Sequence, residues 1–118
     1  MKFVIEGELP SQNEIIKALN SRNRQVYNRL KQKETDRVAW TVKGLKRVSK
    51  AYIKVHWYCK NRKKDPDNIM AGIKFILDGL VVGGVLENDG WKQIKGISHE
   101  IHLDRENPRI EVEIKEAE

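Results

Sequence analysis

The chain has 118 residues, of which 34% are charged and 39% hydrophobic, with one cysteine and a net charge of +6. This length suits one modest core, so we expect a single domain over residues 1–118, and one cysteine excludes an internal disulfide and a cysteine-based zinc site. No apolar run approaches the ~20 residues of a membrane span and no secretory signal pattern is present, so we expect a reducing, cytoplasmic setting without a membrane partner.

Charge is distributed unevenly along the chain. Residues 1–64 carry 17 lysines and arginines against 5 acidic residues, whereas residues 65–118 carry 6 against 12. A basic half of this size attracts polyanions, and nucleic acid is the leading candidate. The alternative is a lysine-rich helical face that contacts only solvent.

The first half of the chain begins with a predicted strand over residues 2–8. Ser11 and Glu14 then have the spacing of a helix capping box. Apolar residues at helical spacing predict one helix from there to about residue 30 and a second over about residues 35–48. The first half is therefore a strand followed by two helices.

The second half begins with residues 51–60, whose clean alternation predicts a half-buried strand. A helix is predicted over residues 66–82, starting with a proline that suits a first helical turn. Residues 88–90 (Asn-Asp-Gly) signal a turn, and two strands follow near 93–103 and 109–115. The order of elements predicts an α+β domain in which helices pack on a small mixed β-sheet.

Two segments resemble metal motifs without meeting their requirements. Residues 99–102 (HEIH) lack the i, i+4 histidine spacing of zinc proteases, and in a strand residues 99 and 102 point to opposite faces. Residues 65–70 (DPDNIM) begin like a calcium loop but lack its later oxygen ligand and glycine. We therefore interpret the histidines as ordinary strand residues. Four further side chains are interpreted as packing residues: Cys59, Trp40, Trp57 and Trp91.

An acidic set surrounds one lysine in the second half, and consists of Asp65, Asp67, Lys74, Asp78 and Asp89. On one continuous helix from residue 66, Asp67, Lys74 and Asp78 would lie within about 20° of one face. Asp65 would stand at the cap, and Asp89 in the turn that follows. The alternative is structural: Asp65 and Asp67 favour a helix N-terminus, Lys74 and Asp78 form a surface pair, and Asp89 is a turn residue.

The segment over residues 62–91 resembles the core of the RusA-like Holliday junction resolvases, which are small endonucleases typical of phages and prophages. The matching features are Arg62-Lys63-Lys64, Asp65-Pro66-Asp67-Asn68, Asp78-Gly79-Leu80 and Glu87-Asn88-Asp89. Residues 8–14 (ELPSQNE) also resemble the family's N-terminal Leu-Pro-x-x-Asn segment. The likeness therefore spans most of the chain.

The resemblance implies a RusA-like domain that acts as a magnesium-dependent, structure-selective DNA endonuclease. Such an enzyme resolves four-way junctions in DNA recombination and repair by paired symmetric nicks. Asp65, Asp67 and Asp89 would bind Mg²⁺, with Mn²⁺ as a substitute, and would be essential for cleavage. In the best-known branch a functional lysine stands where this chain has Ala71, and Lys74, three residues later, would take its role.

The basic run before the aspartates is expected to bind DNA phosphates through Arg62, Lys63 and Lys64. Three further side chains are expected to support the site: Asn68, Asp78 and Glu87. We expect a homodimer, because paired nicks need two sites, and no small-molecule cofactor. The expected setting is the cytoplasm of a bacterial or phage-infected cell. The competing hypotheses are a nuclease for other branched DNA and a non-catalytic basic nucleic-acid-binding module.

Overall fold

The computed structural model describes residues 1–118 and combines a four-stranded mixed sheet with helices packed on one face. Its elements in chain order are β1 Lys2–Glu6, α1 Gln12–Leu19, α2 Gln25–Thr41, β2 Ala51–Cys59, α3 Pro66–Met70, α4 Ile73–Val82, β3 Ile94–Leu103 and β4 Arg109–Glu116. The predicted α+β architecture is confirmed. None of the helices combines the length and apolar character that crossing a membrane requires.

The strands lie in the order β1-β4-β2-β3. Strand β4 is antiparallel to both of its neighbours, whereas β2 and β3 are parallel and are joined through α3 and α4. A parallel pair needs such a crossover, because the chain must return to the starting edge of the sheet. The last strand of the crossover, β3, therefore forms an outer edge of the sheet.

The core lies between the helices and one face of the sheet. In β2 the side chains of Ile53, Val55 and Trp57 are buried, while those of Lys54 and His56 alternate with them on the opposite face. This opposite face carries no helix, and we call it the open face. The strand alternation that the sequence predicts for residues 51–60 is therefore confirmed.

Helices α2 and α4 approach each other closely at two glycines, one within α4 and one directly after its last residue. A Cβ at Gly79 would lie 2.4 Å from Val38, and one at Gly83 would lie 2.5 Å from Val42. Real Cβ atoms are not found at such distances, since carbon atoms in contact stay about 3.5–4.0 Å apart. The glycine after Asp78 is thus required by helix packing.

The first two helices differ from their predicted bounds. Helix α1 ends at Leu19, because Ser21 and Asn23 turn the chain by accepting hydrogen bonds from backbone N–H groups two residues further on, at 3.3 and 2.9 Å. Such side-chain acceptors compete with helical hydrogen bonds. Helix α2 then runs without a break through the region predicted to separate two helices, and it ends at Thr41. The prediction of helices over residues 12–30 and 35–48 is therefore wrong in its bounds.

The single helix predicted over residues 66–82 is also wrong. It is divided into α3 and α4 at Ala71 and Gly72, where the hydrogen bonds shift to an i to i+3 pattern. A Cβ at Gly72 would lie 3.0 Å from the Trp57 ring and 3.1 Å from Leu9, so the break lets the chain pass close to the core. The shared helix face inferred for the acidic set does not exist, because its members lie on two separate helices.

Of the four side chains interpreted as packing residues, two are buried and two are not. Trp57 is 3% exposed and Cys59 is 7% exposed, as predicted. Trp40 and Trp91 are exposed instead, so this interpretation was wrong for them. Trp40 lies on the outer side of α2 with the Lys43 ammonium over its ring, and Trp91 precedes β3 where no element covers it.

Candidate functional site

Asp65 and Asp67 stand at the start of α3, directly after the loop that leaves the carboxyl end of β2. Asp65 occupies the N-cap position with extended backbone, but its carboxylate makes no capping hydrogen bond. The Asp67 carboxylate accepts only the N–H of Asn68, at 2.9 Å. Both residues are exposed and neither is in an ion pair. Their oxygens are therefore available to an external ligand, and Asp65 does not serve the helix as a side-chain cap.

The N-terminus of α1 holds this segment on both sides of Asp65. Lys64 Nζ donates to Glu14 Oε1 at 2.9 Å, and Asn68 Oδ1 accepts from the backbone N–H of Asn13 at 2.9 Å. Partial burial raises the pKa of Glu14, but hydrogen bonds from Lys64 and Ser11 outweigh it and leave the pKa below its ordinary value. Residues 8–14 thus position the aspartates, and Lys64 is engaged in that task.

A cleft of about 320 Å³ separates the aspartate segment from the edge strand β3. Its walls include Asn61, Arg62, Lys64, Asp65 and Pro66 on one side and Ile101, His102 and Leu103 on the other. Arg62 and Lys63 are exposed and have no acidic partner within ion-pair distance. The segment therefore presents unpaired cations, which attract anions, beside an unpaired carboxylate, whose oxygens suit a hard cation.

The lysine and aspartate of α4 do not form the surface pair considered for them. Lys74 is exposed and lies in no ion pair with Asp78. Asp78 is half-buried, and its Oδ2 is enclosed without a hydrogen-bond partner. An enclosed oxygen of this kind costs roughly 1–3 kcal/mol when unsatisfied. Asp78 belongs to the helix that contacts α2 next to Gly79, and not to the helix that carries Asp67.

Asp89 lies in the loop between α4 and β3. It is half-buried, its carboxylate has no hydrogen-bond partner, and its backbone N–H donates to Asn88 Oδ1 at 2.9 Å. Glu87 in the same loop is exposed. This loop adjoins the start of β2, since Ala51 N–H donates to Gln93 O at 2.8 Å. Asp65 follows the opposite end of β2, a strand of nine residues that spans about 26 Å at about 3.3 Å per residue.

One chain therefore does not gather the three aspartates around a single point. Among all groups of three or more histidine, cysteine or acidic residues, one alone has its ligand atoms within 4.8 Å of one another, and it consists of His56, Glu100 and His102. The roles of Asp65, Asp67 and Asp89 as metal ligands stay a prediction.

The sequence matches the family described as endodeoxyribonuclease RusA over residues 11–115. The chain belongs to the RusA family. The match runs from the start of α1 into β4 and so contains the basic run, both aspartates of α3, and the loop with Asp89. No curated protein matches the chain significantly.

Membership in the RusA family supports a nuclease, a hydrolase of DNA phosphodiester bonds, since the family is one of endodeoxyribonucleases. DNA is correspondingly the supported substrate. Nucleases of this kind are typically metal-dependent, and exposed carboxylates such as those of Asp65 and Asp67 provide the oxygen ligands that Mg²⁺ prefers. The resemblance inferred from residues 62–91 is confirmed at the level of the family.

The histidine–glutamate group of this RusA-family chain was not found from the sequence. His56 lies on β2 and faces Glu100 and His102 of β3 on the open face, because His56 pairs with Glu100 and Tyr58 pairs with His102 in the parallel register. His99 points to the other face, as predicted for residues 99 and 102, and accepts the Trp57 Nε1–H at 2.9 Å. The sequence predicts which side chains share a face within each strand, but it does not predict the register in which β2 and β3 pair.

Proposed function

We propose that this protein is a magnesium-dependent, structure-selective DNA endonuclease that resolves four-way junctions by paired symmetric nicks. It acts as a single domain over residues 1–118 in the cytoplasm of a bacterial or phage-infected cell. The observation that carries the proposal is the pair Asp65 and Asp67, whose carboxylates are exposed and without ion-pair partners at the start of α3. Asp65 borders the cleft beside Arg62, which is also unpaired. A non-catalytic binding module has no need of carboxylates that repel DNA at this position.

The residues present fit magnesium, because Asp65 and Asp67 provide hard oxygen ligands and leave room for the waters that Mg²⁺ usually keeps. Bound there, Mg²⁺ or Mn²⁺ would supply charge neutralisation at the scissile phosphate and a more acidic water. Arg62 and Lys63 attract the DNA backbone, and Lys64 with Asn68 holds the aspartates in place. Lys74 is an exposed cation near the start of α4 that can approach a bound phosphate.

A second copy of the chain would complete the acidic set. Three apolar side chains on the helix-facing side of the edge strand β3 are each 38–40% exposed, namely Ile97, Ile101 and Leu103. Antiparallel pairing of two β3 strands about a two-fold axis would cover them. It would also place the end of β3 that adjoins Asp89 beside the partner's end that adjoins Asp65.

The proposed homodimer has a mass of about 28 kDa, twice the chain mass of 13.8 kDa. Its two-fold symmetry provides two matched sites, as two nicks in strands of like polarity require. Each site would combine Asp65 and Asp67 of one subunit with Asp89 of the partner subunit. This arrangement accounts for carboxylates that lie at opposite ends of β2 within one chain.

The function is tested by incubating the purified protein with a synthetic four-way junction, a linear duplex and a flap, with and without Mg²⁺. We expect Mg²⁺-dependent cleavage of the junction in preference to the duplex. Asp67→Asn should abolish cleavage and preserve or improve junction binding, because a negative charge that opposes phosphate is removed with the ligand. Asp36→Asn, an exposed and unpaired aspartate on α2, is the matched control. Full cleavage by Asp67→Asn would overturn the proposed site, and equal cleavage of the flap would identify a broader branched-DNA nuclease.

The shared site is tested by mixing the inactive variants Asp67→Asn and Asp89→Asn. If each site takes residues from both subunits, a mixed dimer contains one intact site and one with both substitutions. Random exchange then restores about a quarter of the wild-type number of sites, and the product is a single nick. If a site lies within one subunit, the mixture stays inactive. Inactivity with light scattering at 28 kDa would reject the shared site, while the nuclease activity of the wild type would stand.

A further inference from the structure

We propose that His56, Glu100 and His102 form a binding site for Zn²⁺ on the open face of the sheet. The site joins β2 to the edge strand β3 and is separate from the carboxylates of the proposed nuclease site. His102 also borders the cleft beside Asp65, but the nuclease proposal gives none of the three side chains a role, so the zinc site does not depend on the nuclease function.

The three ligand atoms form a triangle of the size that a tetrahedral zinc ion requires. His56 Nδ1 lies 3.2 Å from Glu100 Oε2 and 3.3 Å from His102 Nε2, and the third edge between His102 Nε2 and Glu100 Oε2 is 3.7 Å. Ligands bound at about 2.0–2.1 Å in a tetrahedron stand about 3.3–3.4 Å apart. An ion slightly above this triangle would therefore meet all three atoms at ordinary bond lengths without a rearrangement of the strands.

The surroundings orient the first histidine for this role. His56 Nε2 lies 2.6 Å from Glu113 Oε2 on β4, so its N–H donates to that carboxylate. The tautomer with the proton on Nε2 leaves the lone pair of Nδ1 directed into the triangle. A carboxylate that holds the far nitrogen of a histidine is the usual support of zinc-bound imidazoles.

The second histidine is held by ring stacking. His102 stacks on Tyr58 of β2 with a centroid distance of 4.5 Å. The guanidinium of Arg109, on β4, lies 3.9 Å from the centroid of the same tyrosine ring. His56 is 15% exposed, whereas His102 and Glu100 are 36% and 49% exposed. The site is thus rigid on its inner side and reachable from solvent on its outer side.

The ligand chemistry favours zinc over the magnesium of the nuclease site. Two imidazole nitrogens and one carboxylate suit Zn²⁺, whereas Mg²⁺ takes oxygen ligands. Three protein ligands leave the fourth position for water. Within one chain β3 pairs with β2 alone, so a zinc ion bound across the two strands would hold β3 to the sheet.

The test is calorimetric titration of the full chain with Zn²⁺, together with the visible spectrum of the Co²⁺-substituted protein. We expect one Zn²⁺ per chain, a tetrahedral Co²⁺ spectrum and a melting temperature that rises with Zn²⁺. His102→Gln should weaken Zn²⁺ binding at least tenfold, and Glu113→Gln should weaken it by about 10–100-fold through the orientation of His56. Unchanged affinity in His102→Gln would show an adventitious ion only and overturn the site.

The matched control is the double variant Asp67→Asn with Asp89→Asn, which removes the carboxylates of the proposed nuclease site. It should bind Zn²⁺ as tightly as the wild type, and a loss of affinity there would place the ion at the aspartates and reject the proposal. Glu100→Gln, at an exposed position, provides a second ligand variant if His102→Gln fails to fold. A stoichiometry of one Zn²⁺ per two chains would reject a site within one chain.

Discussion

Replacing Gly79 by alanine tests the contact between α2 and α4, on which the position of α4 depends. The new Cβ would lie 2.4 Å from both Cβ and Cγ1 of Val38 and 3.1 Å from the carbonyl oxygen of Thr35. Because contacting carbon atoms stay about 3.5–4.0 Å apart, the helices must separate by about 1 Å or more. Overpacking costs about 1–3 kcal/mol, and two contacts at 2.4 Å place Gly79→Ala in the upper part of that range, at about 2–3 kcal/mol. Alanine returns about 1 kcal/mol of this in helix propensity. We expect a net loss of about 1–2 kcal/mol in the free energy of unfolding.

The measurement is urea denaturation followed by circular dichroism, supported by a melting temperature about 3–10 °C below that of the wild type. Gly90→Ala is the control, since the nearest atom to its new Cβ is a flexible Gln93 oxygen at 3.8 Å. That variant should be neutral or slightly stabilised, because alanine restricts the unfolded chain. If Gly79→Ala is as stable as Gly90→Ala, the close approach of the two helices is refuted.

Two further predictions concern charge. The double variant Arg62→Gln with Lys63→Gln should weaken binding to every DNA sequence. The slope of log affinity against log salt concentration should fall by about one unit for each lost phosphate contact. An unchanged slope would identify the basic run as a solvated loop. Glu14→Gln should destabilise the protein most above pH 4.5, the ordinary pKa of the side chain, because a lowered pKa in the folded state stabilises it there. The difference in the free energy of unfolding between variant and wild type should vanish as pH falls through the lowered pKa. Urea denaturation between about pH 3 and pH 6 measures this difference, and a constant value would contradict the prediction.

The sequence predicts most clearly those features that depend on local spacing. The strand with Ile53, Val55 and Trp57 alternates with period two, so its buried face is readable without a partner strand. The aspartates that follow this strand can be predicted as a site because the sign of charge changes from basic to acidic within two residues. The mixed sheet follows from the order of elements, since a strand, a crossover helix and another strand favour a parallel pair.

The features that escaped the sequence depend on contacts between distant residues. The break at Gly72 is set by its approach to Trp57, and helical spacing on either side hides it. The ion pair of Lys64 with Glu14 joins residues 50 positions apart, so no local pattern predicts it, and the role of Lys64 as a phosphate contact stays a prediction. The triangle of His56 with β3 requires the register of the parallel pair, which no local pattern encodes.

The strand order has a consequence for synthesis on the ribosome. Strand β4, formed by Arg109–Glu116, lies between β1 and β2, so β1 has no neighbour in the sheet until this late segment has been translated. The helices and β2 emerge earlier, but β1 cannot join β2 in the sheet until β4 pairs with both strands. Until then the apolar faces of β1 and β2 remain incompletely covered. Such pairings between distant segments form slowly, and the exposed apolar strand is prone to association in the meantime. The nascent chain therefore completes its sheet only after β4 leaves the exit tunnel, and a ribosome stalled before residue 109 would present a chain that chaperones and proteases recognise as unfolded.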